Sequence, residues 1–318
     1  MKLLFVTANR IGDAMLASGV LAELCRRHPQ AQVTVACGPL AAPLFEAMPQ
    51  RVRTILLAKG RAKLHWLSLW LQTVGQHWDM VVDMRGSGLA WFLFASKRVR
   101  LARRDARLHR VEDAARVLGF SPPPAPALWL GAAEKRAAAN LLGDGPILAL
   151  GATANWSGKM WPAERFLELA ERLTAPSGIL PGARIAVFGG PGEHDAAAPL
   201  LAGLGGRAID FVGTHPLPVA AAAIARATLF VGNDSGLMHV AAAAGIPTLG
   251  LFGPSDERNF GPFGPHCAFV RTAESKDELF ARIDYQPVGA HSLLGSISVE
   301  SVAAAAGAVL ARAQQAAA

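Results

Sequence analysis

The chain has 318 residues, 52% of them hydrophobic, and carries 31 Lys+Arg against 24 Asp+Glu for a formal charge of +7. This length and apolar content exclude a disordered chain and favour two domains over one core. The longest stretch free of Asp, Glu, Lys and Arg, residues 235–255, is broken by glycines and prolines, and Leu3–Val6 is too short for a signal peptide, so neither a spanning helix nor a secretory leader is expected.

Lys2–Ala8 reads as a strand and Asn9–Asp13 as its exit loop, followed by a helix from about Ala14 to Arg27 and a strand over Gln32–Cys37. This βαβ pattern opens a parallel α/β sheet, in which ligands sit at the carboxyl ends of strands. Gly12 and Asp13 lie at such an end. Asp13 fits two roles there, a helix cap and a catalytic carboxylate. Cys25, Cys37 and Cys267 have no CxxC or CxxH spacing, so no disulfide framework or zinc site is indicated, and a reducing, cytoplasmic compartment is expected.

Lys59, Arg61 and Lys63 precede an amphipathic stretch, Leu64–Trp78, in which Trp66 and Trp70 share one helical face. Basic residues beside Trp suit a membrane interface or a glycolipid, and equally a core-packing helix with a basic start. Met80–Met84 is a strand, with Arg85 at its exit. Lys97–Arg110 packs seven Lys/Arg into fourteen residues. Residues 1–143 hold 20 Lys+Arg against 9 Asp+Glu, whereas residues 144–318 hold 11 against 15. An anionic partner for the first half is implied. Nucleic acid is not favoured, because no aromatics interleave the basic run and no nucleic-acid-binding motif accompanies it.

A proline-rich connector, residues 121–126, and a helix over Ala132–Leu142 lead to a domain boundary at 143/144. Ile147–Leu150 starts the second sheet. The loop Gly151–Lys159 combines small and polar residues with a lysine near the next helix, Pro162–Leu173. This suits a phosphate site, although no Walker A motif is present; a surface lysine would look the same. After the strand Arg184–Phe188, Glu193 could bind a ribose diol or serve as a helix-start acid. Ala227–Pro254 reads strand, turn, helix, turn, strand. Asn233 or Asp234 is expected to cap the helix, leaving the N–H groups of Ser235, Gly236 and Leu237 to face an anion. The Ala-rich residues 299–318 form a terminal helix.

Four motifs in this order resemble the ADP-heptose–lipopolysaccharide heptosyltransferase family of glycosyltransferases (glycosyltransferase family 9). They are Ile11-Gly12-Asp13; Trp78-Asp79-Met80-Val81-Val82-Asp83-Met84-Arg85-Gly86; Gly151-Ala152 with Lys159-Met160-Trp161-Pro162-Ala163-Glu164-Arg165-Phe166; and Asn233-Asp234-Ser235-Gly236-Leu237-Met238-His239 with Leu251-Phe252-Gly253-Pro254. The resemblance implies an α/β chain of GT-B architecture, two Rossmann-like domains facing across a cleft. Residues 1–143 would bind the acceptor and residues 144–298 the nucleotide sugar, with the helix 299–318 returning to the N-terminal domain. It implies an inverting, metal-independent transfer from an ADP-heptose-like donor to an anionic inner-core or lipid-linked acceptor, with no cofactor. Peripheral contact with the cytoplasmic face of the inner membrane is part of the same expectation. Asp13 becomes the general base and Lys159 the cation for the leaving diphosphate. Gly12, Thr153, Asn155, Glu193, Asp234, Ser235, Gly236 and His239 become donor contacts, Asp234 toward the sugar or as a cap. Lys59, Arg61, Lys63, Arg85 and Arg98 become acceptor contacts. Two other readings are a transferase for another nucleotide sugar and a non-catalytic nucleotide-sugar-binding or membrane scaffold protein. Departures from the family pattern are Leu150 and Gly19, where proline is common, and Asn155, where a hydroxyl residue is common.

Overall fold

Short β-branched and apolar runs punctuated by Gly, Pro and Asn form strands, and small-residue apolar segments between them form the covering helices. The computed structural model describes residues 1–58, 64–283 and 292–317. The chain divides into two units, Met1–Gly131 and Ala132–Ala318.

The first unit contains β1 (Lys2–Val6), α1 (Ile11–Arg27), β2 (Gln32–Cys37), β3 (Arg51–Leu56), α2 (Leu64–Thr73), β4 (Trp78–Asp83), β5 (Ala95–Arg100) and α3 (Arg110–Arg116). Its sheet is parallel throughout, in the order β3-β2-β1-β4-β5. The chain winds outward from β1 to β3, then returns to the other side of β1 as β4. The carboxyl ends of β1 and β4 therefore flank a topological switch point, where connecting loops diverge and leave a crevice. The amphipathic stretch expected over 64–78 is shorter, because Trp78 already belongs to β4. The basic run 97–110 is not one surface element. It comprises most of edge strand β5, a loop, and the first residue of α3.

The proline-rich segment packs on α1. Ser18 Oγ accepts a 2.8 Å hydrogen bond from the Ala127 N–H. A Cβ on Gly19 would lie 2.3 Å from the Ala125 carbonyl oxygen. Glycine at this helical position is therefore what admits the returning chain.

The second unit contains α4 (Ala132–Leu142), β6 (Ile147–Gly151), α5 (Ala163–Thr174), β7 (Arg184–Gly189), α6 (His194–Leu204), β8 (Ala208–Val212), α7 (Leu217–Ile224), β9 (Leu229–Asn233), α8 (Gly236–Ala243), β10 (Thr248–Phe252), α9 (Glu257–Phe260), β11 (Cys267–Arg271), α10 (Lys276–Ile283) and α11 (Val299–Ala317). Its six parallel strands run in the order β11-β10-β9-β6-β7-β8, which puts the switch point between β6 and β9. Gly151, the last residue of β6, faces Gly232, the penultimate residue of β9. A Cβ on Gly232 would come within 2.8 Å of Gly151 Cα.

Two parallel α/β units of this kind are the fold class the sequence implied. The division falls earlier than 143/144, because α4 packs with α7 of the second unit. Val299, Val302, Ala306, Val309 and Leu310 of the terminal helix join the second unit's core. All three cysteines are unpaired. Burial pushes their thiols up, Cys25 to about 11 and both Cys37 and Cys267 to about 12.

Gly19→Ala is expected to lower unfolding free energy by about 1–3 kcal/mol in a urea titration, since the intruding methyl meets backbone that cannot rotate away.

Candidate active site

In the first unit, Asp13 sits in the first turn of α1, directly after Gly12. The N-cap is Arg10, and its side chain makes no capping hydrogen bond. Asp13 lines a recess of about 30 Å³ with Thr7, Ala8, Met84, Arg104, Arg110 and Asp113, at the ends of β1 and β4. That volume accepts a water-sized group, such as one hydroxyl. The Arg104 guanidinium lies 3.9 Å from the Asp13 carboxylate. Arg110 lies 3.7 Å from the buried Asp113, and burial together with nearby Arg104 lowers its pKa from the usual arginine value. Thr7 lines the same recess, and its buried hydroxyl has no hydrogen-bond partner among the described residues.

The exit of β4 is organised by Asp83, which is fully buried. Its carboxylate accepts hydrogen bonds from the N–H groups of Arg85 (2.9 Å) and Ser87 (2.8 Å) and from the Ser87 hydroxyl (2.7 Å). Arg85 donates to Asn9 Oδ1 at 3.0 Å and stacks over Trp66, and burial lowers its pKa. Arg98 donates to the carbonyls of Ala90, Leu93 and Ala95, so its guanidinium is engaged with the loop before β5. Lys59, Arg61 and Lys63 lie outside the described residues.

In the second unit, the loops after β6 and β9 meet at the switch point. Asn233 is buried and holds three segments together. Its Oδ1 accepts from the Trp161 N–H at 2.9 Å, and its Nδ2 donates to the Ala152 carbonyl at 2.8 Å. Lys159 Nζ lies 2.6 Å from Asp234 Oδ2, bringing the lysine to the amino end of α8. The helix cap differs from expectation. Asn233 and Asp234 are spent on these contacts, and the N-cap is Ser235, in an extended conformation with no side-chain cap bond. Its hydroxyl is shielded from solvent and unpartnered among the described residues. The first N–H groups of α8 have no partner within the helix, so this end carries partial positive charge. Gly236 is the first helical residue, and His239 is buried one turn further on.

Beside this, Glu193 Oε2 accepts from Thr153 Oγ1 at 2.6 Å and from the Gly190 N–H at 2.7 Å. Glu193 is the N-cap residue of α6, but its carboxylate makes no cap bond and turns back toward the β6 loop. Asn155 is exposed on that loop.

Residues 62–286 match the model of glycosyltransferase family 9 (heptosyltransferase). The chain belongs to this family.

Family 9 membership makes it a glycosyltransferase and removes the scaffold reading. Lipopolysaccharide heptosyltransferase 2 of Salmonella typhimurium is 26% identical over 310 residues, covering 85% of this chain and 87% of its own. The structure of the E. coli ADP-heptose lipopolysaccharide heptosyltransferase II superposes with a TM-score of 0.76 at 23% identity, over 99% of this chain and 100% of that one. An E. coli heptosyltransferase solved with ADP superposes with a TM-score of 0.70 at 20% identity, over 95% and 98%.

Within this family-9 chain, the donor-side candidates Thr153, Lys159, Glu193, Asp234, Ser235, Gly236 and His239 gather at the carboxyl ends of β6, β7 and β9. Asp13 gathers with arginines in the first unit. Sequence reasoning did not single out Thr7, Asp83, Arg104, Arg110, Asp113 or the bridging role of Asn233. Asp83 and Asn233 stand inside the recognised motifs, so a signal existed. Arg104 and Arg110 were hidden among the other arginines of the basic run.

Asn233→Ala leaves the Trp161 N–H and the Ala152 carbonyl unpaired in a buried place. It is expected to cost roughly 2–4 kcal/mol in chemical denaturation.

Proposed function

We propose that the protein transfers a heptose from ADP-heptose to an anionic inner-core lipopolysaccharide or lipid-linked acceptor, with inversion at the anomeric carbon. The observation that carries this is the cation and helix terminus assembled at the β6/β9 switch point. Lys159, the open N–H groups of α8 and the orphaned Ser235 hydroxyl all offer hydrogen to one place. A diphosphate, rich in acceptors and negative charge, matches that donor set. The likeness to a heptosyltransferase solved with ADP supports adenosine diphosphate as the leaving group.

In this reading an acceptor hydroxyl approaches Asp13, whose carboxylate takes its proton as the oxygen attacks the anomeric carbon. The bond from that carbon to the diphosphate breaks on the opposite face, and its electron pair departs with the terminal phosphate oxygen. Lys159 and the α8 terminus stabilise the growing charge more strongly than they do the bound donor, and this difference lowers the barrier. Asp234 orients Lys159 by their 2.6 Å contact, so the carboxylate near the diphosphate is not an uncompensated charge. Glu193 holds the donor's ribose hydroxyls with its remaining acceptor capacity, and Thr153 fixes its orientation. Thr7 offers a hydroxyl beside Asp13 to the incoming acceptor. Arg104 and Arg110, with Arg85 further along the same strand ends, suit acidic sugars or phosphates on the acceptor. Such an acceptor is presented at a membrane surface, and peripheral association with the inner membrane's cytoplasmic face belongs to the proposal.

Incubation with ADP- and UDP-sugars and defined core acceptors, followed by product mass, tests the reading. Heptose addition from ADP-heptose is expected; addition of a different sugar would replace the donor assignment, and no transfer from any donor would refute it. Asp13→Asn is expected to lower kcat about 10²–10⁴-fold with donor affinity retained, measured by steady-state kinetics and ADP titration. Lys159→Ala is expected to lower kcat about 10²–10³-fold and to weaken ADP binding in the same titration.

A further inference from the structure

The geometry points to a bilayer-docking platform on the first unit, built from the outer face of α2 and the turn at Leu89–Phe92, that seats on anionic phospholipid. This deepens the reading of a membrane-presented acceptor, which supplies the reason for docking, but the platform rests on its own observations.

A helix covering one face of a soluble sheet ordinarily turns apolar residues inward and charged residues outward. The inner face of α2 obeys this rule: Leu69 is fully buried, and Trp66 and Trp70 pack against the sheet core. The outer face does not. Residues 64–73 contain no charged side chain, and Leu64, Leu67 and Leu71, spaced three and four apart, all stand exposed, Leu71 to 63%. The neighbouring turn repeats the pattern more strongly. Leu89, Ala90 and Leu93 are buried, whereas Trp91, Phe92 and Phe94 are exposed to 67%, 71% and 68%.

The two elements are one packed structure. Trp70 Nε1 donates to the Phe92 carbonyl at 3.1 Å, and Leu69, Leu89, Ala90 and Leu93 share one core cluster. Arg98 donates to the Ala90 carbonyl within the turn and to the Leu93 and Ala95 carbonyls that follow it, which ties the turn to β5. Three neighbouring exposed aromatics are costly on a monomer in water, and such a patch marks an interaction surface.

Charge identifies the occupant. There is no Asp or Glu between Glu46 and Asp79, nor between Asp83 and Asp105. Arg53 on β3 reaches the outer side of α2 through Gln72 Oε1 at 2.7 Å, and Lys97, Arg98 and Arg100 are exposed on β5 beside the aromatic turn. Asp79 on the adjoining β4 is exposed and accepts from the Lys2 N–H at 2.6 Å, so cations outnumber acids around the Trp, Phe and Leu side chains, which matches the headgroup and acyl layers of an anionic membrane. Against a second copy of the same face, those cations would repel one another. No helix among the described residues is long and apolar enough to cross a membrane, so the contact is interfacial.

The test is sedimentation with vesicles of phosphatidylcholine alone and of phosphatidylcholine with phosphatidylglycerol, using the full-length chain. Wild type is expected to pellet with the anionic vesicles and to be released by salt. Trp91→Ser/Phe92→Ser and Leu67→Ser/Leu71→Ser are expected to weaken that binding about tenfold or more each, with unchanged thermal unfolding and unchanged transfer to a water-soluble acceptor. Wild type failing to pellet with anionic vesicles, or variants pelleting as well as wild type, would overturn the proposal. So would a vesicle-free dimer that these substitutions convert to monomer, because the face would then belong to self-association. Vesicle binding without transfer to any acceptor would leave the platform standing and remove the transferase reading; transfer without vesicle binding would do the reverse.

Discussion

One buried side-chain amide sets the geometry of the second unit. Parallel strands end in loops whose backbone groups must find partners, and at a switch point the loops diverge, so the sheet itself offers none. Asn233 fills that gap with one acceptor and one donor, tying the end of β9 to the Ala152 and Trp161 backbones. The glycine pair below it lets β6 and β9 close without side chains between them. Lys159 then lies on a loop whose two ends are fixed, and its ammonium reaches the α8 terminus through Asp234. A lysine held by a carboxylate and anchored loops loses less entropy on meeting an anion than a free one, and this preorganisation is what transition-state stabilisation requires.

The central strands and the motifs at their ends were legible from sequence, because β1, β6, β9 and β10 are apolar runs closed by Gly, Asn or Asp. The edges were not. β3 carries Arg51 and Arg53, β5 carries Lys97, Arg98 and Arg100, and β11 is only half-buried; none alternates cleanly enough to read as a strand. Charged side chains on an exposed edge discourage pairing with another chain, so part of the basic run protects the sheet as well as serving any ligand. Arg98 shows what sequence leaves out of such a run: its guanidinium donates to the backbone carbonyls of Ala90, Leu93 and Ala95.

Within the site, residue identity was legible and partnership was not. Glu193 read equally as a ribose ligand and as a helix-start acid. The structure puts it at the N-cap while turning its carboxylate to Thr153 and Gly190, a choice set by loops forty residues apart in sequence. Asp234 read as a cap, and the cap moved one residue onward because the lysine claimed the carboxylate. The arginines around Asp13 were invisible as a group, since the recess forms only when the loop after β5 folds back beside the start of α1.

The unpaired cysteines have a practical meaning. Only the thiolate reacts with alkylating or oxidising reagents, and thiols raised to about 11 or 12 are almost wholly protonated at neutral pH. Cys25 and Cys37 are also buried, so reagent access as well as thiolate supply is restricted there, whereas Cys267 is partly exposed. A cysteine introduced at the exposed aromatic turn would therefore react ahead of the two buried thiols, and Cys267 is the one native site to replace before attaching a fluorophore or spin label.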